Sequence, residues 1–545
     1  MTKACITFFL CLFSLLMYAQ QQGNQTGIPD SYYRNSLTVL FVDNTGANNW
    51  TAVSGKIPEM RFSDKFDNHN LETLFLRRGL RVDSERTSEI VETFRNELIR
   101  EDIARRAIAK WYNRQKDGSM DMELVHHRGR FAATDADFVV ASSTTRGDAA
   151  LQDLGNQLVN KSFVLILDLR NIVSMETNRN DELRGWKADV RGYLYRIDFN
   201  EDVRQAFYET WIYEDDSPQE KERKKRAYMD LDIPLNYVAN VSANLSSTQT
   251  RRFGTKSQEK LLVEMIDNSL EEVIYKLERE VDEFMVVTPL YGRRPLRAKI
   301  GLKEGLRTDT RFFVFEHVYN QRTNSVRTVR RGVIRAGAQS EIHDNRHEAY
   351  GNMGTSTFYQ VAGRRLREGY TLMQKNDLGM EILLGGAFGE IGGGYARFDL
   401  RTGRLIGVKA LFVYVEGGID GGDYGVPLYG GFGIENFTFL RLGGGIAKGF
   451  HPTRNTEFRP YLGVGFENAS SDTHAEDLEL TAYYFKLGAN MAINLSHNFQ
   501  FVVGVGSYSF ITEAEDENET VYGDWSDVFS GRSGASLLAG VKFMF

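Results

Sequence analysis

The sequence predicts a multidomain chain: a mixed α/β domain, a small β module, and then an eight-stranded antiparallel β-barrel that spans a membrane. Three observations predict it. The last twelve residues, Gly534 to Phe545, alternate between an apolar face and a small or polar face and stop on an aromatic. Seven earlier segments after residue 377 repeat the alternation, with charges gathered on one face. The chain holds 51 glycines against 9 prolines, and the glycines concentrate after Gly379. Side chains of a strand point to opposite faces in turn, so a strand between lipid and a packed lumen carries two unlike faces. A soluble sandwich reverses this, with apolar groups inside and charges outside.

The chain has 545 residues, a formal net charge of −7 and 26% charged residues. That length predicts two or more domains. The mild acidity argues against a nucleic-acid partner. Residues 1–19 read as a secretory leader, with Lys3, an apolar run from Ile6 to Met17, and Ala19 before Gln20-Gln21-Gln22. Both cysteines, Cys5 and Cys11, fall inside it, so no disulfide or thiol chemistry is expected in the exported chain. No stretch reaches the roughly 20 apolar residues of a membrane helix. A membrane crossing therefore has to be a closed barrel, which satisfies its own backbone polar groups.

Residues 20–285 are expected to form a periplasmic α/β domain. Leu37 to Val42 and Phe163 to Leu169 are apolar runs of strand length. Trp186 to Ile197 and Gln205 to Tyr213 read as paired strands. Thr87 to Trp111 and Ser257 to Phe284 have helical spacing, the second through Leu261, Met265, Leu270, Val273, Leu277 and Val281. The charge-dense stretch from Asp215 to Arg226 reads as a solvated loop, with a docking site for an acidic partner as the alternative.

Residues 286–376 carry short strands split by Gly301 and Gly305, followed by Gly332 to Ala336, Thr357 to Val361 and Leu366 to Met373. The run Gly301-Leu-Lys-Glu-Gly-Leu-Arg-Thr-Asp309, ahead of Phe312, resembles a turn of small SH3-like barrels, with Thr308-Asp309 where that family has Gly-Asp. An α/β region followed by such a module resembles the flagellar assembly protein T family and periplasmic parts of the curli secretion apparatus. That resemblance implies a binding scaffold and no residue-level site.

Residues 377–545 are expected to form the barrel. Its strands are Leu378–Phe388, Tyr395–Arg401, Leu405–Val415, Phe437–Ala447, Glu457–Glu467, Thr481–Leu495, Phe499–Ile511 and Gly534–Phe545. In the third, Ile406, Val408, Ala410, Phe412 and Tyr414 read as outward. The inward charges are Glu381, Arg397, Asp399, Lys409, Arg441, Glu457, Arg459, Glu467, Lys486 and Lys542. Both signs are present, and buried charges need partners, so these ten read as a salt-bridged filling and not as a conducting path. Short links follow the even strands and longer polar ones follow most odd strands, the arrangement of short periplasmic turns and long outer loops. Leu428 to Asn436 is either loop or extra strand, which leaves ten strands as the other count.

The terminal strand and its seven companions resemble the small OmpA/OmpX-type outer-membrane barrels. The resemblance implies an anchor or adhesin, embedded in outer-membrane lipid with the preceding domain in the periplasm.

Signals for catalysis or metal binding are weak. His126-His127 reads as strand neighbours facing apart. His343 and His347 have i, i+4 spacing in a polar, loop-like stretch, a poor zinc site. Ser496 and His497 read as a solvated turn. No phosphate loop or nucleophile elbow occurs, and no cofactor is expected. The expected function is a non-enzymatic outer-membrane anchor carrying a domain that binds an envelope protein partner. The alternatives are a homo-oligomeric secretion or assembly component, and an outer-membrane enzyme.

Overall fold

The computed structural model describes residues 35–68, 71, 74–76, 86–132, 155–175, 183–250, 254–320, 325–347, 354–375, 377–428, 431–471, 478–515 and 521–545. The leader assignment lies outside these residues.

The first sheet has six strands: β1 (Ser36–Val42), β2 (Asp67–Asn68), β3 (Phe75–Leu76), β4 (Ser162–Ser174), β5 (Leu183–Ile197) and β6 (Leu235–Thr250). Their order is β2–β1–β4–β5–β6, with β3 also on β1. β1 and β4 run parallel, whereas β4, β5 and β6 are antiparallel neighbours. All seven residues of β1 are buried, because helices cover both faces. The long helix Gln258–Glu280 covers one face with Leu261, Met265, Leu270, Val273 and Leu277. Helices Thr87–Arg100 and Ile103–Trp111 cover the other with Phe94, Leu98, Ile108 and Trp111.

Four sequence expectations change here. Thr87 to Trp111 is two helices, broken where Asp102 turns left-handed at φ 54°. Gln205 to Tyr213 is not a strand. Asn200 caps the helix Glu201–Tyr208 by accepting from the Val203 amide, with Glu201 and Asp202 in the favoured first turn. The antiparallel neighbours of β5 are instead β4 and β6, the latter with the inward set Ala239, Val241, Ala243 and Leu245. The charge-dense stretch is the helix Pro218–Asp230, started by Ser217 as cap and Pro218 at its first position. His126 and His127 lie on the helix Glu123–Ala132, not on a strand.

The second sheet contains β7 (Val287–Pro289), β8 (Gly292–Arg293), β9 (Leu296–Ala298), β10 (Arg311–Asn320), β11 (Ser325–Ala336), β12 (Ser356–Gly363) and β13 (Thr371–Gln374). Its order is β7–β13–β10–β11–β12–β9–β8. Its core is Leu296, Ile300, Phe312, Val314, Ile334, Phe358 and Leu372.

The barrel comprises β14 (Met380–Gly389), β15 (Gly393–Arg401), β16 (Leu411–Leu428), β17 (Gly431–Lys448), β19 (Thr456–Ser471), β20 (Leu478–Asn494), β21 (Phe499–Phe510) and β24 (Gly534–Met544). Each pairs antiparallel with the next, and β14 pairs with β24, so eight strands close the ring. β18 (Phe450–Thr453), β22 (Glu513–Glu515) and β23 (Val521–Asp524) are short additions at the two ends.

The count of ten is excluded, because 416–428 belongs to β16 and 431–436 to β17, and the two stay paired to Leu428 and Gly431. The third strand also starts later than expected. A short helix, Gly403–Ile406, and the left-handed Ala410 at φ 51° precede it and shift the alternation by one residue. Phe412 and Tyr414 therefore point inward at 0% and 2% exposure, while Val413 and Val415 point outward at 45% and 57%.

Candidate functional site: a filled lumen latched to the β module

The outer face of the barrel is an apolar band. On β20 it runs from Tyr483 through Phe485, Leu487 and Met491 to Ile493, all exposed. Ten residue steps at ~3.3 Å, tilted by ~40°, give a band roughly 25 Å tall, the height of an outer-membrane hydrocarbon layer. Leu442, Val464, Val503 and Leu537 continue it around the ring. No helix of the described residues is long and apolar enough to cross a membrane. Strands make the crossing, and the band is a lipid-facing surface.

The lumen is packed with charge. Near the end where β14 starts and β24 finishes, Glu381 contacts Arg401 at 3.0 Å, Arg459 at 2.7 Å and Lys542 at 3.2 Å. Glu457 contacts Arg459 at 2.6 Å and Lys542 at 2.9 Å. Arg397 pairs with Asp399 at 2.7 Å. The Phe412 ring lies between the guanidiniums of Arg459 and Arg401, at 3.7 and 4.4 Å. Midway, Lys486 pairs with Glu416 at 2.6 Å, and the Tyr395 hydroxyl donates to Glu416. Toward the far end, Glu467 contacts Arg441 at 3.1 Å and Arg532 at 2.7 Å, and accepts from the Trp525 indole. Asp420 joins both arginines.

Nine of the ten expected lumen charges lie here: Glu381, Arg397, Asp399, Arg441, Glu457, Arg459, Glu467, Lys486 and Lys542, each at most 4% exposed. Lys409 does not. The shifted start of β16 leaves it at the barrel mouth, its side chain 42% exposed and ion-paired at 2.9 Å with Glu341, in the 3-10 turn Gln339–Glu341 that follows β11. Arg401, Glu416, Asp420 and Arg532 belong to the network too, though they were not among the ten expected. Both Glu416 and Asp420 lie beyond Val415, where the sequence reading ends the third strand. The even-numbered run Phe412, Tyr414, Glu416, Gly418, Asp420 carries the inward period through the Gly417-Gly418 pair and could have revealed them.

Tyrosines fill the remaining space against glycines of other strands. A Cβ at Gly465 would lie 2.5 Å from the Tyr484 hydroxyl and 2.4 Å from the Leu442 carbonyl, and one at Gly463 would lie 2.3 Å from the Tyr414 hydroxyl. The clusters at Gly443 to Gly445 serve the same close approach. Leucine at Gly465 is expected to cost about 3 kcal/mol or more, since backbone blocks its relief. A lowered urea midpoint of the refolded protein measures it.

Both ends of the barrel are closed. At the far end Trp525, Phe529, Phe437 and Phe439 form an aromatic cap, with the Arg532 guanidinium 3.4 Å from the Phe439 ring centre. At the near end the second sheet is latched to the mouth. Asp309, left-handed at φ 64°, accepts from the Ala410 amide at 3.0 and 2.9 Å and from the Tyr359 hydroxyl at 2.6 Å, and faces Arg401 at 3.4 Å. Asp377 pairs with Arg335 of β11 and with Arg404. Arg311 donates to the Asn498 carboxamide at 2.6 Å, and the Asn494 carboxamide donates to the Val361 carbonyl at 2.5 Å. A cavity of about 10 Å³, no larger than a single water needs, lies between sheet and mouth beside Arg311, Arg335, Glu381 and Arg401.

Ser496 and His497 sit in the turn between β20 and β21 at this contact. His497 is not solvated as expected. It is half-buried, and burial, then Arg330 and Arg311, push its imidazole down to about 4. No bond joins it to Ser496, so the two do not form a nucleophile pair. His343 and His347 flank a turn, and among the described residues no group of three His, Cys, Asp or Glu is arranged to hold a metal.

Compared with known proteins, the chain matches no family model and no curated protein. Among solved structures, it is similar to a major outer membrane protein from Thermus thermophilus, at 19% identity over 30% of this chain and 98% of that one, with a TM-score of 0.24. It is also similar to the N-terminal β-barrel domain of Pseudomonas aeruginosa OprF, at 12% identity over 31% and 100% with a TM-score of 0.20. Neisserial surface protein A matches at 16% over 30% and 94%, with a TM-score of 0.21. Each match spans less than a third of this chain. The barrel assignment itself rests on the closed strand pairing and the lipid-facing band.

Proposed function

We propose that this protein is a non-enzymatic outer-membrane anchor that holds residues 20–376 in the periplasm as a partner-binding scaffold of the envelope. The observation that carries this reading is the latch. The charges of Asp309 and Asp377 and the amides of the barrel turns tie the second sheet to the barrel mouth, so the soluble part is oriented by the membrane and not tethered on a loose linker. A lumen closed by ion pairs and an aromatic cap suits an anchor better than a pore. With an even number of strands, the start of β14 and the end of β24 lie on the side of the soluble domains, and 511–515 and 521–533 on the other.

Protease added to intact cells tests the orientation. The expected result is cleavage within 511–533 with residues 35–375 protected until the envelope is opened. The protein should also fractionate with the outer membrane and migrate faster on a gel unheated than boiled. Recovery as soluble periplasm without that mobility difference would end the anchor reading. Protection of 511–533 together with cleavage of 35–375 would reverse the orientation.

A further inference from the structure

We propose that the second sheet grips anionic phospholipid headgroups, in the leaflet beside the barrel mouth, through a row of arginines at the rim. The proposal rests on the anchor reading, which seats this end of the barrel against a lipid leaflet.

The charge of the chain is unevenly spread. Residues 286–376 hold 17 Lys and Arg against 7 Asp and Glu, a net of +10, while the rest of the chain, with 49 against 66, carries −17. A basic segment in an acidic chain points to an anionic partner for that segment. Internal contacts use only part of the excess. Arg335 and Arg311 serve the latch, Arg331 pairs with Glu316, and Arg346 pairs with Asp344. Arg330, Arg364, Arg365 and Arg367 are exposed, and among the described residues no carboxylate pairs with them. Arg454, in the turn between β18 and β19, is exposed and unpaired in the same way.

These arginines stand where the lipid-facing band stops. The Gly363 amide donates to the Asn455 carboxamide at 2.9 Å, so Arg364 and Arg365, which follow Gly363, lie beside Arg454, which precedes Asn455. The Arg364 amide donates to the Arg331 carbonyl at 2.7 Å, which brings Arg330 alongside. Arg330 also acts on His497, in the turn between β20 and β21. Phe450 and Phe458 flank the first of these turns and Leu495 precedes the second, at 51%, 43% and 62% exposure. Apolar surface therefore gives way to arginine within a single turn of chain, at the level of the headgroups.

The arginines are carried on a fixed backbone. Leu366 is buried in the core of the second sheet, Gln360 donates to the Arg364 carbonyl at 2.7 Å, and the Gly369 amide donates to the Leu290 carbonyl at 2.8 Å. Little ordering is left to be done on binding. A guanidinium is planar, permanently charged and able to donate two parallel hydrogen bonds to one phosphate. The groups flank two barrel turns and do not converge on one enclosed pocket, which suits a layer of headgroups better than a single soluble anion.

The test is native mass spectrometry of the full chain, released from nanodiscs that hold phosphatidylglycerol and phosphatidylcholine in equal amounts. An arginine beside an anionic leaflet is worth roughly fivefold, so the parent is expected to retain phosphatidylglycerol over phosphatidylcholine by about tenfold or more. Arg364→Gln, Arg365→Gln and Arg454→Gln together remove three charges and leave the backbone contacts of the rim in place. They should bring the ratio to within about twofold of unity. Arg223→Gln, Lys225→Gln and Arg226→Gln together remove as many charges from the helix Pro218–Asp230 of the first domain and should leave the ratio unchanged. Both variants should keep heat-modifiable mobility, which reports the barrel separately. Equal retention of the two lipids by the parent, or a ratio that the rim variant leaves unchanged, would overturn the proposal. An equal fall in the helix variant would overturn it by showing an effect of bulk charge. Displacement of phosphatidylglycerol by millimolar inorganic phosphate would overturn it by showing a free-anion site. A parent protein that does not enter the nanodisc would remove the anchor reading as well, whereas entry without lipid selection would remove this proposal alone.

Discussion

Alanine at Glu381 is expected to destabilise the folded chain by about 3–5 kcal/mol, the cost of leaving buried charges without their partner. Glu381 serves Arg401, Arg459 and Lys542 at once. After its removal Arg459 and Lys542 retain Glu457, but the one carboxylate left within ion-pair distance of Arg401 is Asp309 at 3.4 Å, beside the Tyr359 hydroxyl and the Phe412 ring. Urea unfolding of the detergent-refolded protein, followed by the unheated gel band, measures the loss. Adding Arg401→Met to Glu381→Ala removes the stranded cation and should recover stability, so the pair loses less than the sum of the singles. A Glu381→Ala midpoint equal to wild type would mean that the lumen network does not hold the barrel.

Asparagine at Asp377 is expected to loosen the second sheet from the barrel by about 2 kcal/mol. Burial pushes this carboxyl up, but the guanidiniums of Arg335, Arg404 and Arg311 outweigh it and hold it at about 2, below its ordinary 3.8. A depressed folded value means the charged form is stabilised by folding. The contribution is present in full above about pH 4 and is lost as pH falls toward 2. Limited trypsin digestion should cut Asp377→Asn near 375–380 faster than wild type at neutral pH, with the barrel fragment keeping its fast mobility. Acid unfolding of the sheet should begin in wild type between pH 4 and 2, and Asp377→Asn should have lost that step. Equal digestion rates would show that Asp377 is not part of the latch.

The barrel was legible because lipid and lumen impose opposite demands on alternate residues. Arg397, Asp399 and Arg401, alternating with Ala396, Phe398 and Leu400, can satisfy both only as a strand. Lys409 and Phe412 were misplaced because the helix Gly403–Ile406 and the left-handed Ala410 insert an offset that composition does not signal. Glu416 and Asp420 were missed because glycine pairs look like loop, although β16 runs straight through them. In the first domain Gln205 to Tyr213 has apolar residues at spacings compatible with strand or helix. The Asn200 cap decided for helix.

Sequence alone determined the division into a mixed α/β part, a β-rich part and an even-numbered barrel, since each rests on local periodicity and on the solvent each face meets. It also determined nearly all of the charges that fill the lumen. Only the tertiary structure decided which of those charges touch, that Trp525 and Phe529 pack on Phe437 and Phe439 as a cap, and that Asp309 and Asp377 latch the second sheet to the mouth. These contacts join residues 92, 42 and 65 positions apart, as in Arg401–Asp309, Arg335–Asp377 and Arg532–Glu467. Pairing at such range depends on where closed strands bring side chains together, and no local pattern encodes it.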